Sequence, residues 1–214
     1  VILYLDEAMR GPSSHQDDYK QAKRSAMSTG KNLIEMSRTK QDRTSLKKFS
    51  FFTVVRNPWT RTLSAFLDKI TNGPHDKYGS IPGFADNSPT GFAAFISFLG
   101  NGGLHANHHW KPQSDALLLP ASQFQSICRL EHLSVELPRA LSETALRLPS
   151  PERLKQPHQI ESQQQSKLTQ ANHKLQLYYC PKTIQAVSEL YAADFKLGRY
   201  SLDPGSIGLN PLAG

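Results

Sequence analysis

Residues 49–70 read FSFFTVVRNPWTRTLSAFLDKI. The Phe- and Val-rich run at 49–55 has the composition of a buried strand, of the kind found in parallel sheets. Arg56-Asn57-Pro58 interrupts it. Proline suits the first turn of a helix, where its missing N–H costs nothing. Asn57 is placed to cap that turn. Leu63, Phe66, Leu67 and Ile70 then recur at helical spacing and form a packing face. Asn72-Gly73-Pro74 ends the helix. The stretch predicts a strand, a tight turn and a helix.

That order of elements suits anion binding. Backbone donors at a helix N-terminus point outward, and the helix dipole favours negative charge there. Arg56 adds a planar fork of donors that can grip a phosphate at two oxygens. Ser64 adds a hydroxyl on the helix face shared with Thr60 and Arg61, away from Leu63, Phe66 and Leu67. The same residues also suit an ordinary strand–turn–helix unit with an exposed arginine.

Working outward, residues 1–5 (VILYL) read as a second short buried strand. Residues 10–30 are polar, with charges that suit a solvated helix or a mobile loop, and residues 31–48 are basic and polar and read as a solvated connection. The Gly-, Pro-, Asn- and Asp-rich segment 71–90 reads as loop, and 92–99 as a short helix. A strand is expected at 127–130. A helix is expected at 138–147, with Leu137, Leu141, Ala145 and Leu146 on one face. Residues 149–170, rich in Gln, Ser and Pro, read as a mobile insertion. Residues 182–197 read as one amphipathic helix with Ile184, Val187, Leu190, Tyr191 and Phe195 inward. The tail at 202–214 is expected to fray. The chain is read as one domain over 1–214.

The 214 residues suffice for a sizeable core. The net charge of +7 favours an anionic partner without choosing one. A nucleic-acid partner is not expected, because the charge is dispersed and no aromatic–basic stripe appears. Cys128 and Cys180 do not form a metal-binding pair, and they allow a disulfide without implying one. His105, His108 and His109 crowd together without carboxylate support, so no metal site is expected. No run approaches membrane-span length, and no signal-peptide pattern or glycosylation acceptor is present.

The segment VVRNPWTRTLSAFLDKI resembles the 3′-phosphate-binding segment of the sulfotransferase family that includes Golgi carbohydrate sulfotransferases and bacterial relatives. Arg56, Asn57, Pro58, Trp59, Arg61, Ser64, Ala65, Phe66, Asp68 and Lys69 fit its pattern. Three further stretches agree in order. GKNLIEMSR (30–38) is similar to the segment preceding that strand. NHHWKPQSDALLLP (107–120) is similar to the family's His-Trp-x-Pro-Gln segment. RLEHL (129–133) and ELYAADFKLGRYS (189–201) are similar to its closing patterns.

The resemblance implies a three-layer, P-loop-like α/β fold, with a parallel sheet flanked by helices. It implies sulfuryl transfer from PAPS (3′-phosphoadenosine 5′-phosphosulfate) to a hydroxyl of a carbohydrate acceptor, without a metal. By resemblance Arg56 and Ser64 take the 3′-phosphate, with Asn57 and Arg61 beside them. His109 is the candidate base, since imidazole titrates near working pH. Glu131 is a weaker candidate that can instead be ion-paired with Arg129. Trp59 either stacks near adenine or packs.

Two departures accompany these agreements. The family's Pro-Lys-x-x-x-Thr loop after its first strand, which cradles the 5′-phosphosulfate, is not recognisable in residues 1–30. The alternative reading is therefore a truncated or degenerate nucleotide-binding remnant without turnover. The family's secreted-pathway cysteine pair is replaced by LLLPAS at 117–122. That points to a cytoplasmic, bacterial-type protein; a membrane-associated, Golgi-type one would need an anchor upstream of Val1.

Overall fold

The computed structural model describes residues 50–117, 119–142, 150–151 and 171–209. The expected first strand, the 30–38 segment, the 152–170 part of the insertion and the end of the tail lie outside the described residues. The chain divides into two units, one of residues 1–54 and 118–159, the other of 55–117 and 160–214.

In the first unit, β1 (Phe52–Val55) pairs with β2 (Ser126–Arg129) in a parallel, two-stranded sheet among the described residues. β2 begins one residue before its expected start. Pairing extends before both strands, where the Gln125 N–H donates to the Phe51 carbonyl at 2.9 Å. Helix α4 (Leu133–Leu141) packs Leu133, Leu137 and Leu141 onto Cys128, Phe52 and Val54. This helix was expected at 138–147. Pro138 lies inside the helix. Its ring removes one backbone donor without stopping a helix already secured by its leucine stripe. Residues 143–147 are outside the described residues.

In the second unit, α1 (Pro58–Ala65) follows the Arg56–Asn57 turn as anticipated, with Pro58 at its first position. It widens into one π-helical turn at Phe66–Ile70, closed by the Thr71 N–H donating to the Phe66 carbonyl at 3.0 Å. The segment read as loop contains one helical turn, α2 (His75–Tyr78), and its Tyr78 is buried. Helix α3 (Pro89–Gly100) starts earlier than the apolar spacing suggested. Ser88 caps it by accepting from the Gly91 N–H at 3.1 Å, and Pro89 occupies its first position. Gly83 lies close by at φ 85°, where a Cβ would meet the Gly91 carbonyl oxygen at 2.2 Å. Only glycine satisfies both conditions.

Helix α5 (Ala171–Tyr178) was not anticipated. The expected single helix at 182–197 is two: α6 (Pro181–Leu190) and α7 (Ala192–Gly198). Tyr191 separates them at φ −114° and ψ 24°, outside helical geometry. Ile184, Val187, Tyr191 and Phe195 are all buried on both sides of the break.

The core of this unit is aromatic. Trp59, Phe66, Phe92 and Phe95 are fully buried. Phe66 meets Phe92 edge-on at 5.3 Å, and Phe95 meets Trp110 at 5.5 Å. Burying each such ring stabilises the fold by about 1.5–3 kcal/mol. The packing face read from residues 63–70 is therefore the one that holds α1 against α3, α5 and α6. Both cysteines are free thiols.

Candidate functional site

Arg56 stands where the strand gives way to α1. Both of its backbone polar groups are taken by one side chain. The Arg56 N–H donates to Gln113 Oε1 at 2.8 Å, and Gln113 Nε2 donates to the Arg56 carbonyl at 2.8 Å. The amide of Gln113 thus replaces the neighbouring strand that a sheet residue would have. The guanidinium Nε donates to Thr60 Oγ1 at 3.2 Å, and that hydroxyl donates to the Asn57 carbonyl at 3.1 Å. Asn57 is buried, and its Oδ1 accepts from the Trp59 N–H at 3.0 Å, so it caps α1 as its sequence position implied. Asn57 thereby fixes the direction in which the helix N-terminus points.

One turn along α1, Arg61 and Ser64 lie half-buried on a common face. Arg61 Nη2 donates to the His108 carbonyl at 3.2 Å, tying the helix to the His-Trp segment. Burial holds the Arg61 pKa below its ordinary value, against an opposing pull from Tyr191 and Asp194. The His109 N–H donates to Asn107 Oδ1 at 3.0 Å, and the His108 and His109 rings lie 4.1 Å apart. Burial lowers the His109 pKa, and the neighbouring charges of His108, Lys69 and Arg61 lower it further, with Asp68 opposing. His109 is therefore a neutral imidazole at pH 7, the state required of a base. Arg61, Asp68, Lys69, His108 and His109 share one electrostatic neighbourhood.

Trp59 is wholly buried and meets Phe195 at 4.7 Å, so it packs. Its carbonyl accepts from the buried Tyr179 hydroxyl at 2.8 Å. Trp110 is also buried, with its Nε1 donating to the Gly103 carbonyl at 2.9 Å.

Two residues of this region had no assigned role in the sequence reading. Asp194 is fully buried on α7. Its carboxylate accepts from the Gln113 N–H at 2.7 Å and the Ser114 N–H at 2.8 Å. Gln113 is its neighbour in that arrangement. A signal existed for each. Asp194 is an acid on the apolar face of a helix, beside Phe195, and Gln113 ends the family-like His-Trp-x-Pro-Gln segment.

In the first unit, Glu136 is a carboxylate partner of Arg129, at 2.5 Å, and Glu131 is exposed. Burial would raise the Glu136 pKa, but hydrogen bonds and charge from Arg129 outweigh it and hold the pKa below the ordinary value. Among the described residues, no group of His, Cys, Asp and Glu is arranged to hold a metal ion. No helix among them is long and apolar enough to cross a membrane.

No curated protein and no solved structure matches the chain significantly. A family model described as the sulfotransferase family matches residues 2–201, reaching upstream of residue 30, where the motif resemblance begins. The match takes in β1, the Arg56 turn, the His-Trp segment and Asp194, and with it the chain belongs to the sulfotransferase family.

Proposed function

We propose that the chain transfers a sulfuryl group from PAPS to a hydroxyl of a carbohydrate acceptor. The observation that carries this reading is the fixed backbone of Arg56, immediately before a capped helix N-terminus. A guanidinium set there, with outward-pointing N–H groups beside it, suits a dianionic phosphate. Arg56 and Ser64 bind the 3′-phosphate in this reading, and Arg61 and the α1 terminus oriented by Asn57 complete the charge balance. In this reading the chain has the three-layer, P-loop-like fold implied by its family, and the parallel pairing of β1 and β2 supports it. The cytoplasmic assignment rests on the missing cysteine pair and glycosylation acceptors.

In the transfer step, the acceptor oxygen forms a bond to sulfur as the bond between sulfur and the 5′-phosphate oxygen breaks. His109 takes the acceptor's proton, and adenosine 3′,5′-bisphosphate leaves with the electron pair. Catalysis of this kind rests on placement and on stabilising charge on the leaving oxygens.

A second reading is a nucleotide-binding remnant without turnover. It is favoured by the absence of Pro-Lys-x-x-x-Thr from residues 1–30. Titration calorimetry with adenosine 3′,5′-bisphosphate tests the site: binding is expected in the native chain and is lost in Arg56→Ala. Equal affinity in both proteins would reject it. Transfer of label from PAPS to a sugar separates enzyme from remnant.

A further inference from the structure

We propose that Gln113 and Asp194 are positioning residues that set the preference for a 3′-phosphate, acting through the backbone of Arg56. The proposal rests on the reading of Arg56 as the phosphate anchor.

A residue leaving a strand needs partners for its N–H and carbonyl. At Arg56 both come from one carboxamide, each at 2.8 Å. A carboxamide has a donor end and an acceptor end, so it can hold both groups in only one orientation. Asp194 selects that orientation. Its carboxylate accepts hydrogen bonds and cannot donate them, and Oδ2 lies 3.4 Å from Gln113 Nε2. The amide nitrogen must face Asp194 and the Arg56 carbonyl, which leaves Oε1 for the Arg56 N–H. The carboxylate also binds the backbone N–H groups of Gln113 and Ser114, so the residue carrying the amide is held as well. The Tyr191 hydroxyl secures the same segment by donating to the Trp110 carbonyl at 2.6 Å.

These contacts link the Arg56 backbone to α7 through Gln113. The side chain retains only its own rotamers, with Nε further restrained by Thr60. Charge-assisted hydrogen bonds depend steeply on geometry. Loosening the Arg56 backbone should therefore weaken the phosphate contact although Gln113 itself never touches the nucleotide.

The test compares two probes, adenosine 3′,5′-bisphosphate and adenosine 5′-monophosphate, by calorimetry on the full chain. The quantity read is the ratio of their dissociation constants, with folding checked by circular dichroism. Gln113→Met keeps the volume of the side chain and removes both bonds to Arg56. It is expected to raise the ratio, bisphosphate over monophosphate, about tenfold, through weaker bisphosphate binding alone. Asp194→Asn should act in the same direction, because it loses one of its acceptors. A folded Gln113→Met with the native ratio overturns the proposal. So does an equal weakening of both probes, which is the mark of a purely structural role.

If Gln113→Met does not fold, the ratio is read on Gln113→Glu, which retains the acceptor for the Arg56 N–H. A fold that tolerates neither change overturns the proposal too, since the amide would then serve stability. A native chain without preference for the bisphosphate defeats the Arg56 reading itself. Loss of the preference in Arg56→Ala with its retention in Gln113→Met defeats only the positioning role.

Discussion

The hydroxyl of Tyr191 donates to the carbonyl of Trp110 at 2.6 Å, across 81 positions of sequence. The bond joins the helix break to the His-Trp segment. Burial pushes the Tyr191 pKa up to about 12, above the ordinary value of about 10. The folded protein keeps a proton that the unfolded chain releases. Stability is therefore complete below pH ~10 and falls as pH rises towards 12. Tyr191→Phe is expected to cost about 1–2 kcal/mol at neutral pH and to flatten this alkaline loss. Tyr179, whose pKa burial also raises, retains its own share. Urea melts at pH 7 and at pH 10–11 measure both effects.

Ser64 lies half-buried on the face of α1 that also carries Arg61. Ser64→Ala is expected to weaken adenosine 3′,5′-bisphosphate binding about fivefold to tenfold. Its melting temperature should stay within a few degrees of native. Unchanged affinity in calorimetry would remove Ser64 from the site.

The imidazole of His109 should titrate below the ordinary histidine value when followed by NMR. Lys69→Gln removes a positive neighbour, so the imidazolium forms more readily and the pKa rises. The acid limb of sulfate transfer should shift to higher pH with it. Asp68→Asn should move both the other way. A limb that ignores both substitutions would point to another base.

Glu136 bonds Arg129 through the backbone N–H at 2.5 Å and through the guanidinium. Its folded pKa is lowered, so its contribution is complete above the unfolded carboxylate pKa and lost as pH falls through the folded one. Both side chains are partly exposed, which limits the pair. Glu136→Gln is expected to cost ~1 kcal/mol at pH 7 and little at pH 3. Denaturant midpoints at the two pH values provide the check.

The strand–turn–helix at 52–70 was legible because its signals are local: an apolar run, Asn57 as cap, Pro58 after it, and apolar residues at helical spacing. The break at Tyr191 was not legible. Ile184, Val187, Tyr191 and Phe195 stay in phase across it, and periodicity reports burial rather than dihedral angles. The helix expected at 138–147 starts five residues earlier, at Leu133, because its leucine stripe carries it through Pro138. At the site, Arg56 and Ser64 stood out through the motif that contains them. The roles of Gln113 and Asp194 depend on partners some 57 and 80 positions away, and no local pattern encodes such a pairing.

The π-helical turn at Phe66–Ile70 holds one residue more than an α-helical turn would need. Excising the exposed Asp68 would let the helix close regularly, with Leu63 and Phe66 before the cut and Ile70 after it still directed inward. The fold is expected to tolerate the shortening. The pattern of charges around the imidazole would change with it, because Asp68 is the neighbour that pulls the His109 pKa upward.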